Sequence, residues 1–554
     1  MVLNDGLEPH IYGKLELGNV PHTFTIPPSR RLLLYADVSS TGTNGSIILQ
    51  GGTLQLHGSN SFTGPLRVQN GQVYAYDNSA FGSPVGATIL EGTNCGVFIG
   101  YGDMIAAEPL QVLHDGWFEV AATNAWNGPI FVAANAELDM EGSYFGGTDW
   151  LTLGGAITGP GNLYIYMDRV DLTGTSANTL SGQVTVSSKT VLNLTKTNAN
   201  ALAGTILLTG SSTNAQIRWL RNDQVADTAK IKLDNYGYSR NGALYLNGFS
   251  DTIGSLESGY FNLVSCAGGR LTVGGNNQNC AFYGTIEGNA GTTNLIKTGT
   301  GTFTLGGSQS LAGKTLVNGG TLVLENASGV GAVQVNSGGR LAGNSALGSL
   351  TASGTGRIEP GPIGDLNYGK LNPALFNLGG GVFRCGLGGC QPGVNYDQVA
   401  TTGPLFLSGT TLELNTLSIP TGSNTFTLIN VTNAGLVLGT FNNLPDLATF
   451  TSLHGHQFRI NYHGGDGNDV VVTRIDPVPP SPQITGLSAQ PNGQIQIKAN
   501  GIAGQAYIVQ ATASLSLVDW VNLDVVIADQ SGLVQFTDID APSYPKRFYR
   551  LLIP

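Results

Sequence analysis

Residues 295–324 read LIKTGTGTFTLGGSQSLAGKTLVNGGTLVL. Core-type side chains recur at alternate positions in short pieces: Phe303 and Leu305, Thr315 and Val317, Leu322 and Leu324. Gly, Asn, Ser and Thr separate them. Period-two alternation broken by turn formers every few residues specifies short strands with one buried face. The frame returns earlier in the chain. Leu54, Leu56, Phe62, Gly64, Val68, Gly71 and Val73 keep the spacing of Phe303, Leu305, Leu311, Gly313, Val317, Gly320 and Leu322. Looser copies run through Trp126, Gly128 and Val132, and through Val170, Leu172, Leu180, Gly182 and Val186. Such a unit cannot bury its apolar face alone, so the copies must stack on one another. The chain is therefore expected to be all-β, a β-solenoid.

Bulk composition agrees. The 554 residues carry 80 glycines and only 11% charged side chains, while 41% hydrophobic residues are enough for a core. A net charge of −11 with 25 basic residues and no basic run argues against nucleic acid or an anionic membrane as partner. No stretch is long and apolar enough for a membrane-spanning helix. Residues 1–20 lack the pattern of a secretory leader, and the expectation is a secreted or cell-surface protein whose leader is not present in this chain. Cys266 with Cys280, and Cys385 with Cys390, are near enough in sequence to close loops as disulfides; free buried thiols, as for Cys95, are the equal alternative.

Residues 1–475 are expected to form the solenoid with an N-terminal cap and a C-terminal closure, about 20 coils of roughly 20–25 residues. At ~4.8 Å per coil that is on the order of 100 Å. Residues 476–483, DPVPPSPQ, hold four prolines and read as a stiff linker. Residues 484–554 alternate again (Ile495 and Ile497, Tyr507 and Val509, Val534 and Phe536) and suit a small β-sandwich with Trp520 as its core aromatic.

The segment 295–324 resembles the autotransporter-associated β-strand repeat of passenger-type proteins, whose pattern runs approximately LxKTGxGTLTLxGxNxYxGxTxVxxGTLxL. Residues 124–132 (NAWNGPIFV), Gln224–Thr228 and Asn247–Leu256 are similar to further pieces of such proteins. The tail, with VDWVNL and YPKRFYRLLIP, resembles the fibronectin type III-like C-terminal domains of secreted proteins from environmental bacteria. The resemblance implies a right-handed parallel β-helix and a structural or adhesive role at the cell surface. It says little about activity. No barrel-type run of amphipathic strands follows the solenoid in this chain.

Residues that depart from the repeat are the candidates for function. Asp168 and Arg169 fall where a Gly-Thr-Gly turn is expected. Arg218, Trp219, Arg221 and Asp223 crowd one strand edge, and Tyr236, Tyr238 and Arg240 lie in an extra loop. Glu257, Tyr260 and Glu287 follow, with Glu141, Asp149 and Trp150 upstream. Stacked coils would set these side chains beside each other along a groove between about residues 140 and 290. Asp168, Glu257 and Glu287 could then supply the acid and base or nucleophile of a glycoside hydrolase. An arginine beside a tyrosine could serve a polysaccharide lyase. Arg169, Trp219, Arg221, Tyr236, Tyr238 and Arg240 would contact a polysaccharide or cell-surface glycan. The alternative is that scattered charges keep a glycine-rich solenoid soluble, and self-association into fibres is a further expectation for such a surface.

Two metal readings arise near the end of the solenoid. Gly464–Val472 (GGDGNDVVV) fits one copy of the nonapeptide calcium motif, with Asp466 and Asp469 as ligands. That motif normally needs successive copies, and a structural turn explains a single one. His454, His456 and His463 fall within ten residues, and a strand would put the first two on one face.

Overall fold

The computed structural model describes residues 8–100, 102–143, 148–210, 215–234, 242–417, 419, 424–433, 435–475, 481–515 and 519–553. The chain divides into two compact units, one within Met1–Ser418 and Thr425–Thr473, the other within Ile419–Asn424 and Arg474–Pro554.

The first unit is a parallel β-solenoid of about 16 turns. Its first wall is a single file of buried side chains in register, Leu32, Leu54, Val73, Val97, Phe118, Met140, Ile165, Val186, Leu208 and Leu233. A second wall stacks Phe24, Leu49, Val68, Leu90, Val112 and Val132. A third stacks Ala106, Trp126, Leu153, Leu172, Leu194 and Trp219. Each side chain thus rests on the one a coil away, and the backbone bonds run from coil to coil. The decisive stretch behaves as its alternation requires. Thr302–Val317 is one long strand bent at three irregularities, so that Phe303, Leu305, Leu311, Thr315 and Val317 all turn inward.

Corners are tight. A Cβ on Gly128 would lie 1.9 Å from the carbonyl oxygen of Glu108, and one on Gly155 would lie 2.1 Å from that of Gly128. Glycine at these positions lets successive backbones nest at the corner. Glu108 itself stands among these corners, buried, with Oε1 lacking a hydrogen-bond partner among the described residues. Near the start, Tyr12, Tyr35, His57 and Tyr76 form a column of rings, with centroids 5.0, 4.4 and 4.3 Å apart and planes within 18° of parallel.

The coil count falls short of the expected 20 because the closing part does not coil. Thr425–Val431 pairs antiparallel with Asp469–Arg474, and Thr449–Thr451 pairs antiparallel with Gln457–Gly464. Cys95, Cys266, Cys280 and Cys385 are buried thiols, and Cys390 is exposed and forms no disulfide, so the loop-closing alternative is not realised.

The second unit has two three-stranded antiparallel sheets. Gln483–Ala489, Ile495–Asn500 and Leu533–Asp538 make one; Val521–Ile527, Ala506–Thr512 and Phe548–Leu552 make the other. Its core is Ile497, Ala499, Tyr507, Val509, Ala528, Val534 and Leu551. The expectation for Trp520 is corrected: the buried aromatic is Tyr507, and Trp520 sits half-exposed with the Arg550 guanidinium 4.3 Å from its ring centre.

Candidate functional site

The turns after three successive third-wall strands, Val191–Leu194, Ala215–Trp219 and Gly242–Tyr245, lie one above another. Each turn holds a non-glycine residue in the left-handed region, Asn198 (φ 54°), Asp223 (φ 53°) and Asn247 (φ 52°), and the third adds Gly248 (φ 86°). Asn and Asp tolerate that conformation better than other non-glycine residues. The turns enclose a polar cleft of about 550 Å³, walled by Asn198, Asn200, Arg221, Asn222, Asp223 and Phe249, with Lys196 at its base.

Buried side chains hold this corner in one shape. Gln224 accepts the Lys196 N–H through Oε1 at 2.8 Å and donates through Nε2 to the carbonyls of Lys196 and Asn222, both at 3.0 Å. Asp251 accepts the Trp219 indole N–H at 2.6 Å and the backbone N–H groups of Gln224 and Val225 at 2.8 and 2.9 Å. Burial raises its carboxyl to about 6 despite those donors. Ser250 N–H donates to Asn222 Oδ1 at 2.8 Å. Lys196 is fully buried, and its ammonium donates to the carbonyls of Gly155 and Thr173 at 3.1 and 2.8 Å. Burial lowers its pKa to about 8.

Arg221 is different. It is exposed, and its guanidinium has no ion-pair or hydrogen-bond partner among the described residues. The side-chain amides of Asn198 and Asn200 are unpartnered in the same sense, and the half-exposed ring of Phe249 has no aromatic neighbour among the described residues.

The other candidates are placed apart. Trp219 is 0% exposed, so it supports the cleft from behind and offers no face to a sugar. Arg169 is engaged by Asp171 through two bonds of 2.9 and 2.8 Å and lies 3.7 Å over the Trp150 ring. Asp168 accepts the Asp149 N–H at 3.2 Å, with the Lys189 ammonium 3.8 Å away. Glu257 faces out from the first wall, paired with Lys230 at 2.7 Å, beside a shallow groove. Glu287 lies on the third wall between Ser265 and Ser310. From Arg169 the register climbs through Val191, Gln216, Ala243 and Leu263 to Thr285. Those five steps put Asp168 about 24 Å from Glu287 along the axis at ~4.8 Å per coil. A glycosidase pair stands within about 10 Å, so the groove expected between residues 140 and 290 does not bring these two carboxylates together. Tyr236, Tyr238 and Arg240 lie outside the described residues.

A cluster of acidic side chains lies on the first wall. Glu119 and Glu141 are register neighbours, as are Trp117 and Asp139. Burial, with Glu137, Glu141 and Asp115 around it, lifts Asp139 to about 6.

At the closing end, Gly464–Asn468 is a hairpin turn. Asp469 is buried and accepts the Val431 N–H at 2.9 Å. His454 is corrected from strand to turn: its Nδ1 accepts the Thr416 N–H at 3.2 Å, and it does not share a strand face with His456. Among the described residues no group of three His, Cys, Asp or Glu side chains could hold a metal ion.

The geometry thus defines a repeat solenoid that carries a built polar cleft at a corner. Against family models, residues 50–73 and 295–324 match the passenger-associated-transport-repeat. These are the two stretches with the same residue frame, and both lie inside the continuous stack. No curated protein matches the chain. Among the described residues no helix is long and apolar enough to cross a membrane.

The sequence reading missed Lys196, Asn198, Asn200, Asn222 and Phe249. One signal was available: Leu194-Thr195-Lys196-Thr197 repeats the Leu295-Ile296-Lys297-Thr298 that opens the decisive stretch. Lys297 is also buried, and its ammonium donates to the carbonyls of Thr298, Gly299 and Gly319.

Proposed function

We propose that this protein is a secreted or cell-surface structural and adhesive passenger-type solenoid that contacts glycans through its corner cleft. The observation that carries the reading is the presence of two passenger-associated repeats within one uninterrupted parallel stack. Dispersed charge supports it as well. Arg67 pairs with Glu91, Arg169 with Asp171, Lys230 with Glu257, and Arg340 with Glu359, at separate heights along the solenoid. The more exposed of these, Arg67 with Glu91 and Lys230 with Glu257, keep a charge-poor surface soluble while adding little stability each. The separation of Asp168 from Glu287 favours contact over cleavage.

Two measurements test the reading together. Antibody against the folded protein should label intact producing cells or their culture medium. Incubation with a panel of plant and algal polysaccharides should release no reducing ends, while affinity electrophoresis retards the protein in at least one of them. Retention wholly inside the cell overturns the surface role. Release of reducing ends, abolished by Glu257→Gln or Glu287→Gln, makes the protein a hydrolase instead.

A further inference from the structure

We infer that the corner cleft is a subsite for the carboxylate of a uronic-acid residue in an acidic polysaccharide, read by Arg221. The inference rests on the glycan-contacting part of the reading above and narrows it to one chemical class.

Three features select the ligand. The cleft, about 550 Å³, falls within the size range of small-molecule sites, but its wall is amide and charge where a drug-like or lipid pocket would be aliphatic. A wall of amides with one aromatic ring suits a sugar: the amides exchange hydrogen bonds with hydroxyls, and Phe249 offers an apolar face to the C–H side of a pyranose. The sign of the ligand comes from Arg221. A guanidinium presents paired N–H donors in a plane, matching the two oxygens of a carboxylate, and this one has no such partner among the described residues. The Lys196 ammonium beneath adds positive potential, with two of its three donors already used on carbonyls. Asp223, on the same turn, is placed to accept a sugar hydroxyl. Asp251, the other nearby carboxylate, is buried and already accepts from Trp219, Gln224 and Val225.

The site is also preformed. Gln224 and Asp251 tie the turns of neighbouring coils before any ligand arrives, so little ordering cost is left for binding. The cleft is walled by the turns of successive coils, an arrangement that matches an extended chain of sugars better than a single small anion.

The test is affinity electrophoresis and calorimetry of the full chain against polygalacturonate and alginate as uronates, a sulfated galactan, and a neutral galactomannan. The expected result is binding to a uronate polymer that Arg221→Gln weakens at least tenfold, the least that losing a charge-assisted hydrogen bond should do. Phe249→Ala should weaken it as well. Arg218→Gln, an exposed arginine that bonds Gln216 in its own strand and lies 5.7 Å from the Tyr245 ring centre, should bind as wild type. An unchanged melting temperature for Arg221→Gln shows that the loss is local. Binding to the sulfated or neutral polymer but to neither uronate overturns the inference while leaving the glycan-contacting reading intact. Binding to no polymer overturns both. Uronate binding indifferent to Arg221→Gln places the site elsewhere and overturns the inference alone.

Discussion

Two lysines show what a single residue does in this fold. A corner leaves carbonyls pointing into the crowded turn, and a buried carbonyl without a donor costs about 1–3 kcal/mol. Lys297 meets three of them from within, and Lys196 meets two. Each ammonium loses water, which lowers its pKa by burial, but the carbonyls around it return that hydration in kind. Lys297→Met keeps the stem and removes the donors. It is expected to cost about 2–4 kcal/mol, by the orphaned-acceptor mechanism, and a urea titration of wild type and variant measures it. A change under 0.5 kcal/mol would mean that water fills the turn equally well.

At the scale of the element, the coil corner decides between fold and failure. Gly128→Ala places a methyl within 1.9 Å of the Glu108 carbonyl oxygen and 2.4 Å of its carbon, both backbone. Neither coil can yield without breaking the ladder, so the variant is expected to be insoluble or to melt many degrees lower. Gly379→Ala, where nothing lies within 4 Å, should melt as wild type. Parallel circular-dichroism melts check both. The strands themselves were readable because their signal is local. Phe303, Leu305, Val317, Leu322 and Leu324 announce their burial by alternation, and all are buried. The cleft was not readable because Lys196, Arg221 and Phe249 are brought together by coil registration, which the spacing of any single strand does not report. Arg221 was noticed for its charge, whereas Trp219 beside it was assigned to the ligand although alternation turns it inward. The histidines were misread for a related reason: the parallel pattern ends before residue 449, and antiparallel hairpins take over.

Across the whole solenoid, the carboxyl groups whose burial outweighs their partners set the response to pH. Burial raises Glu108 and Asp397 to about 8, and Asp251 to about 6. Between the ordinary carboxylate range and those values the folded state holds more protons than the unfolded chain. The free energy of unfolding therefore falls as pH rises through that window. Lys196, lowered to about 8 from 10.5, acts with the opposite sign only between those two values. The protein is expected to be more stable at pH 5 than at pH 8, and Glu108→Gln should flatten the slope by removing one of the two largest contributors. Denaturation midpoints at the two pH values measure this; an equal slope in the variant would show that Glu108 ionises freely in the folded protein.

The ring column formed by Tyr12, Tyr35, His57 and Tyr76 has an optical consequence. Chromophores held face to face at 4.3–5.0 Å couple their excited states, so part of their ultraviolet ellipticity belongs to the stack and weakens when a ring slips. The first windings thus carry a native dichroic reporter, separate from the indoles further along, by which fraying of that end can be followed without attaching a label.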